Sequence, residues 1–336
     1  MTQSVVLATF FDSLLQFLTP STLAQVLVNG LAKAALFVMI ASGLSLIFGL
    51  MGVLNFAHGS LTMIGAYLGG LFMVLTVSGA TGGLTRIALF FVGLVVVFGL
   101  LAVFGSAIEV SLIRPLYDRP IYQILLTFGL TLVLDELVRI AVLFYGMQPR
   151  SDWQAALATK PALLTASYSI GGIDITGLDV FEIAFGIATV AVIWAFLTRT
   201  RYGLIIRAGS EDPEMTSALA INVRRAFTVV FGLGVGLAGI AGMLLMWDLQ
   251  WGASVPLAIE SLLPAFVVVI IGGLGTFRGT VVAAIIVGIT DASMTWWFQN
   301  AVDFPGLPEL MIFLILVLVL VVRPKGLFGV EEVGGH

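Results

Sequence analysis

Apolar runs near 22–48, 61–78, 87–112, 121–145, 179–198, 226–247, 259–272, 280–298 and 308–322 occupy most of this chain. Nearly all reach the roughly 20 residues that a helix needs to cross a bilayer. Lipid offers the backbone no hydrogen-bond partner, so such a chain folds as a bundle of α-helices. The run 259–272 is short for a full crossing and ends in GGLGTFRG, as half of a broken helix would. The expected fold is therefore all-α: a polytopic transmembrane helical bundle of eight or nine spans with broken or re-entrant helices. With 60 % hydrophobic and 10 % charged residues among 336, positions 1–336 form a single transmembrane domain with little mass outside the membrane. The absence of cysteine excludes disulfides, thiolate catalysis and cysteine-held metal. A net charge of −4 with dispersed basic residues gives no nucleic-acid surface.

Residues 1–20 lack a basic segment ahead of their apolar stretch and are expected to stay in the mature protein. Ser4 to Leu18 contains Asp12 and stops before Pro20, which fits an interfacial or re-entrant helix. Basic loop residues mark the cytoplasmic side. If the Arg199–Arg225 loop is inside, so are Arg114, Arg119, Arg207, Arg278, Arg323 and Lys325, while Arg86, Arg150 and Lys160 fall outside. The C-terminus is then cytoplasmic, 199–225 is a cytoplasmic loop and 146–178 is extracellular.

The segment GLSLIFGLMGVLNFAHGSLTMIGAYLGG, Gly43 to Gly70, interrupts two apolar runs with Asn55, His58 and glycines. Unwound backbone at membrane depth survives only where protein or a water-filled cavity satisfies it, so a broken helix over 49–65 is the expected substrate pathway. Shifting MGVLNFAHGS by 220 positions lays it on IGGLGTFRGT and matches Gly52 with Gly272 and Gly59 with Gly279. This candidate internal repeat makes 270–282 the counterpart break. These four glycines serve close helix packing and are hinge candidates. Asn55 either contacts a substrate's charged groups or caps the helix after the break. His58 either lines the pathway or is a hydrogen-bonded structural residue near the cytoplasmic membrane face. With His336 the other histidine, no multi-histidine metal site can form.

Asp135, Glu136 and Arg139 interrupt the fourth span, where an uncompensated charge is expensive. The i,i+4 and i,i+3 spacings allow one ion pair and leave one carboxylate over. That carboxylate meets a substrate's ammonium group, another helix or Lys33. No catalytic triad and no phosphate-cradling Gly-Lys-Ser/Thr loop is present, so no enzymatic role is expected. In the 199–225 loop, Ser210 is a candidate N-cap, with Glu211, Asp212 and Glu214 in the first turn and Pro213 tolerated there. A short helix between arginines suits either docking to a cytoplasmic partner or a plain interfacial loop.

Three stretches in this order, GLSLIFGLMGVLNFAHGSLTMIGAYL, RYGLIIRAGSEDPEMTSALAINV and LLPAFVVVIIGGLGTFRGTVVAAIIVG, resemble the permease subunits of ATP-binding-cassette importers for branched-chain amino acids, nearer the LivH type than LivM. The resemblance spans about Leu27 to Gly329. It implies a second permease subunit, either a related chain or another copy, two cytoplasmic ATPase subunits that use the ATP, and an extracytoplasmic substrate-binding protein. It implies no cofactor in this chain and a prokaryotic plasma-membrane location. Glu211, Asp212 and Ala220 would fall in the coupling loop, with Ala220 where the family usually has glycine. Urea, short-amide or carboxylate importers, and a stand-alone transporter coupled to an ion through Asp135 and Glu136, are the rival readings. Loop 146–178, with Gln148, Arg150, Asp152, Lys160 and Asp174, either docks the binding protein or is a simple surface loop.

Overall fold

The computed structural model describes residues 12–205, 223–248, 251–302 and 307–329. The described chain forms α1 Pro20–Met51, α2 His58–Thr76, α3 Gly83–Ile108, α4 Pro120–Phe144, α5 Gly177–Arg199, α6 Val223–Leu245, α7 Leu257–Gly272, α8 Phe277–Trp297 and α9 Leu307–Val322. Each falls on one of the apolar runs. Six described helices have the length and apolarity of a full crossing; α7 and the described apolar part of α9, Leu310–Val322, are shorter. The long α4 carries Asp135, Glu136 and Arg139. Loop 146–178 adds what apolar periodicity did not reveal: two four-residue helices, Gln154–Leu157 and Ala162–Thr165, and an antiparallel hairpin of β1 Ser167–Ile170 and β2 Ile173–Thr176.

Local chemistry sets the helix ends. Thr19 accepts a hydrogen bond from the Thr22 N–H and Pro20 occupies the first turn, so the proline that closes the N-terminal stretch opens α1. Gly52 ends α1 at φ +64°, its N–H donating to the Phe48 carbonyl at 2.8 Å. In α5, Thr176 and Asp179 form a reciprocal capping box. The helical residues 12–17 place Phe17 beside Trp296 at 5.2 Å and Trp297 at 5.5 Å, at the far end of α8.

Helix α1 is the central post. It packs against α5, α6, α7 and α8, while α6 also packs against α2 and α3. Residues Leu36–Ala41 and Leu44 of α1 are almost wholly buried. Lipid supplies no hydrophobic drive between helices, so backbones approach through small residues. A Cβ on Gly43 would lie 2.3 Å from the Gly234 carbonyl of α6, and one on Gly242 would lie 1.9 Å from the Thr62 carbonyl of α2. On the opposite side, a Cβ on Gly288 of α8 would lie 2.6 Å from the Gly30 carbonyl.

The C-terminal ends of α1, α3, α5, α7 and α9 and the N-terminal ends of α4, α6 and α8 share one end of the bundle, where Leu50 and Leu197 pack with Ala226. Ser106 donates to the Thr228 carbonyl there, and the Leu327 N–H to the Ile271 carbonyl at 2.8 Å. This end collects Arg114, Arg119, Arg199, Arg201, Arg224, Arg225, Arg278, Arg323 and Lys325. Arg86, Arg150 and Lys160 sit at the other. There Gln25 exchanges two hydrogen bonds with the backbone of Asp174, fastening the hairpin to α1. Lys160 donates to the Trp247 carbonyl at 3.0 Å. Burial pushes the Lys160 ammonium below its ordinary pKa, opposed by the carboxylates of Asp248 and Glu182.

Gly43→Ala is expected to lower the stability of the detergent-solubilised protein by about 1–3 kcal/mol, the usual effect of overpacking, because its methyl collides with backbone. Gly129→Ala, where a Cβ meets nothing within 4 Å, should be neutral or slightly stabilising. Thermal unfolding of the two variants side by side checks this.

Candidate functional site

Between α1 and α2 the chain does not simply turn. From Gly52 it runs back along α1 as a non-helical stretch, 53–57, in which Val53, Asn55 and Ala57 are buried. The His58 Nε2–H donates to the Ile40 carbonyl of α1 at 2.9 Å. Ile40 lies eleven residues before Met51, so His58 sits about 16 Å along α1 from its end, at 1.5 Å per residue. The histidine is thus hydrogen-bonded, as one sequence reading held, but deep in the bundle rather than near its end.

Partners for this stretch come from three helices. The Leu54 carbonyl accepts from the Thr127 hydroxyl of α4 at 3.3 Å, and the Asn55 carbonyl from the His58 N–H at 3.2 Å. Asn55 Oδ1 accepts from the Ala57 N–H at 3.2 Å, so the side chain closes the turn ahead of α2 instead of occupying the N-cap, which is Ala57. Phe56 lodges between Phe266 of α7, 5.0 Å away, and Phe128 of α4, 6.4 Å away. Asn55 Nδ2 and His58 Nδ1 are buried with no protein partner. Buried polar atoms are ordinarily satisfied, so these two mark a place for water or ligand.

The second break is more compact. Gly273 and Gly275, at φ +100° and +82°, turn the chain between α7 and α8 within four residues. The aligned glycines have different tasks. Gly272 and Gly279 touch, a Cβ on Gly279 lying 2.0 Å from the Gly272 carbonyl. Gly52 has open space around it, and Gly59 packs on the Ala258 carbonyl of α7. The two breaks meet where Gly49 lies against Gly275.

Among the fourth-span charges, Glu136 pairs with Arg139 at 3.5 Å, both exposed. Asp135 is the carboxylate left over. The Ser60 hydroxyl of α2 donates to Asp135 Oδ1 at 2.6 Å. Asp135 also borders a cavity of about 490 Å³ with Arg139, Gln148, Arg150, Val255 and Ile259. The Ser60–Asp135 hydrogen bond thus ends at a cavity with cationic, anionic and aliphatic walls, whereas His58, on another face of α2, is bonded to α1.

Lys33 pairs with Asp291 of α8 rather than with Asp135. Asp291 and Glu260 border a second cavity of about 370 Å³ between α1, α7, α8 and α9. Sequence reasoning passed over Asp291, Glu182 and Glu109, although a carboxylate in an apolar run is as conspicuous there as at Asp135. Glu182 is buried in α5 with Oε1 unpartnered. Glu109 is fully buried and takes two hydrogen bonds from Arg114, at 3.2 and 2.8 Å, and one from Tyr117. Ser60 had no distinguishing sequence signal. Glu211, Asp212, Glu214 and Ala220 lie outside the described residues. Among the described residues no group of three or more His, Cys, Asp or Glu side chains could hold a metal.

A multi-pass helical bundle with a non-helical segment folded back into its core and a charged cavity has the build of a membrane transport protein. The family described as "Branched-chain amino acid transport system / permease component" matches residues 26–322, and the chain belongs to it. It is 28 % identical to the high-affinity branched-chain amino acid transport system permease protein BraD of Pseudomonas aeruginosa, over 92 % of this chain and 96 % of that protein. It is 27 % identical to the permease protein LivH of Escherichia coli K12, with the same coverage. A probable LivH of Methanocaldococcus jannaschii is 26 % identical over 91 % of this chain and 93 % of that protein. No solved structure gave a significant match.

Lys33→Met is expected to destabilise the protein by about 3–5 kcal/mol, because it strands the buried Asp291 carboxylate. Lys33→Met with Asp291→Asn should recover most of that loss. Unfolding midpoints of the single and double variants in detergent read the difference.

Proposed function

We propose that this chain is the permease subunit of an ATP-driven importer that takes up branched-chain or other hydrophobic amino acids by alternating access. Family membership across residues 26–322 carries the reading. The chemistry of the 490 Å³ cavity supports it: a free amino acid offers an ammonium group for Asp135, a carboxylate for Arg150 or Arg139, and an aliphatic side chain for Val255 and Ile259. Asn55 and His58, buried where the chain folds back along α1, are further pathway residues, and Gly52, Gly59, Gly272 and Gly279 allow the packing and hinge changes of the moving helices.

The chain works with a second permease subunit, two cytoplasmic ATPases that consume the ATP, and an extracytoplasmic binding protein. It needs no cofactor of its own. It lies in the plasma membrane of a prokaryote with the arginine-rich end and C-terminus in the cytoplasm, since basic residues are retained there. The Asp135 cavity then opens on the outer side, where the binding protein delivers cargo and loop 146–178 offers a docking surface. Glu211, Asp212, Glu214 and Ala220 receive the motion of the ATPases.

Asp135→Asn keeps a hydrogen-bond acceptor for Ser60 but removes the charge. In proteoliposomes containing the complete importer, it should raise the KM for leucine uptake at least tenfold. Ser60→Ala, which takes one hydrogen bond from the Asp135 carboxylate, should raise it about tenfold, from the ~1.5 kcal/mol of a hydrogen bond to a charged group. Unchanged KM in Asp135→Asn would remove Asp135 from the cargo site.

A further inference from the structure

A third cavity, of about 440 Å³, is separate from the Asp135 cavity. It is a cleft between α3 and α5, floored by α1 and α6 through Leu46 and Leu237. Phe91, Val95 and Phe98 form one wall and Phe185, Val192 and Phe196 the other, and the lining is wholly apolar. The walls approach at Phe91 and Phe185, whose rings are 6.3 Å apart. Val95 and Val192 are 73 % and 67 % exposed, so the cleft opens sideways along the membrane-facing surface. Both lie near the middle of helices long enough to cross the bilayer, where the surrounding solvent is hydrocarbon.

What lies beyond one end of the cleft identifies its occupant. Phe185, Val192, Phe196 and Arg199 follow one another at spacings of seven, four and three residues, so they form a single stripe along α5 that ends in a cation. Arg201 follows in the helical residues 201–205, and α6 starts nearby with Arg224. Arg199, Arg201 and Arg224 are all exposed. The same end of the bundle carries most of the chain's basic residues. A helix-walled apolar slot whose end carries exposed guanidinium groups matches a molecule with a long hydrocarbon chain and an anionic head.

We propose that this cleft is a binding site for an anionic phospholipid, one acyl chain lying between α3 and α5 and the phosphate resting on Arg199 and Arg201. The bound chain fills the gap between α3, which packs on α6, and α5, which packs on α1, and so supports their spacing. The site is separate from the Asp135 cavity and does not depend on what the protein transports.

The test uses the full-length protein, delipidated in mild detergent, then incubated with dioleoyl phosphatidylglycerol or dioleoyl phosphatidylcholine and weighed by native mass spectrometry. The wild type should retain one phosphatidylglycerol per chain, in at least tenfold preference over phosphatidylcholine. Val95→Trp with Val192→Trp, which fills the cleft from its exposed rim, should lose both lipids. Arg199→Gln with Arg201→Gln should lose the preference between headgroups while keeping the chain. Thermal unfolding of each variant guards against simple misfolding. Retention of phosphatidylglycerol at wild-type stoichiometry by the tryptophan variant, or an unaltered headgroup preference in the glutamine variant, would overturn the proposal; so would a wild type that retains neither lipid, as expected if a helix of another subunit fills the cleft.

Discussion

Backbone polarity inside an apolar bundle is the constraint on which the rest of this structure depends. From Val53 to Ala57 the chain abandons helical hydrogen bonding while alternate residues are buried in protein, and each buried carbonyl or N–H must find a substitute. Thr127 supplies one on α4, the Asn55 side chain another within the segment, and His58 ties the start of α2 to the α1 carbonyl at Ile40. These bonds explain why α4, whose outer surface is largely exposed, still holds a defined position. Among its buried residues Gln123 donates to the Leu116 carbonyl, Thr127 meets the segment and Leu134 enters the core, and Asp135 reaches Ser60.

The central helix α1 makes that arrangement possible. A glycine at 43 lets α6 approach closely and leaves room for the His58 ring, whose Cε1 would lie 2.9 Å from a Cβ there. Gly49 against Gly275 brings the two helix breaks together at the arginine-rich end. A transporter needs rigid elements that can move as units and a few places that change. Small-residue contacts supply the first, and glycine turns supply the second. Under the proposed reading, motion delivered at the cytoplasmic loop reaches the pathway through α5 and α6, which meet α1 near Leu46 and Leu50.

Much of the architecture was legible because transfer to lipid depends on local composition. Every apolar run became a helix, but 259–272 lies in a complete helix, Leu257–Gly272, that a glycine turn joins to the antiparallel α8, and is not half of a broken one. Long-range partnerships were not legible. Lys33 and Asp291 are 258 positions apart, and nothing local joins them. Glu109 and Arg114 escaped for another reason: an α-helix places residues five apart on different faces, whereas the π-helical turn Glu109–Ile113 brings them into line. The leftover carboxylate of the fourth span was foreseen, but whether it was Asp135 or Glu136 depended on helix rotation, which the spacing left open. The depth of His58 was missed because sequence gives the order of residues, and a chain that doubles back reverses their height.

The central claim is that the Asp135 cavity is the outward-facing cargo site of an ATP-driven permease. The chain has no cysteine, so Ile259→Cys, on an exposed cavity wall, introduces a single thiol. The decisive measurement is its rate of labelling by a membrane-impermeant maleimide in the complete importer. Leucine delivered by the binding protein should slow outside labelling several-fold, and trapping the ATP-bound state should change the rate again. A rate that ignores both leucine and nucleotide would contradict the account.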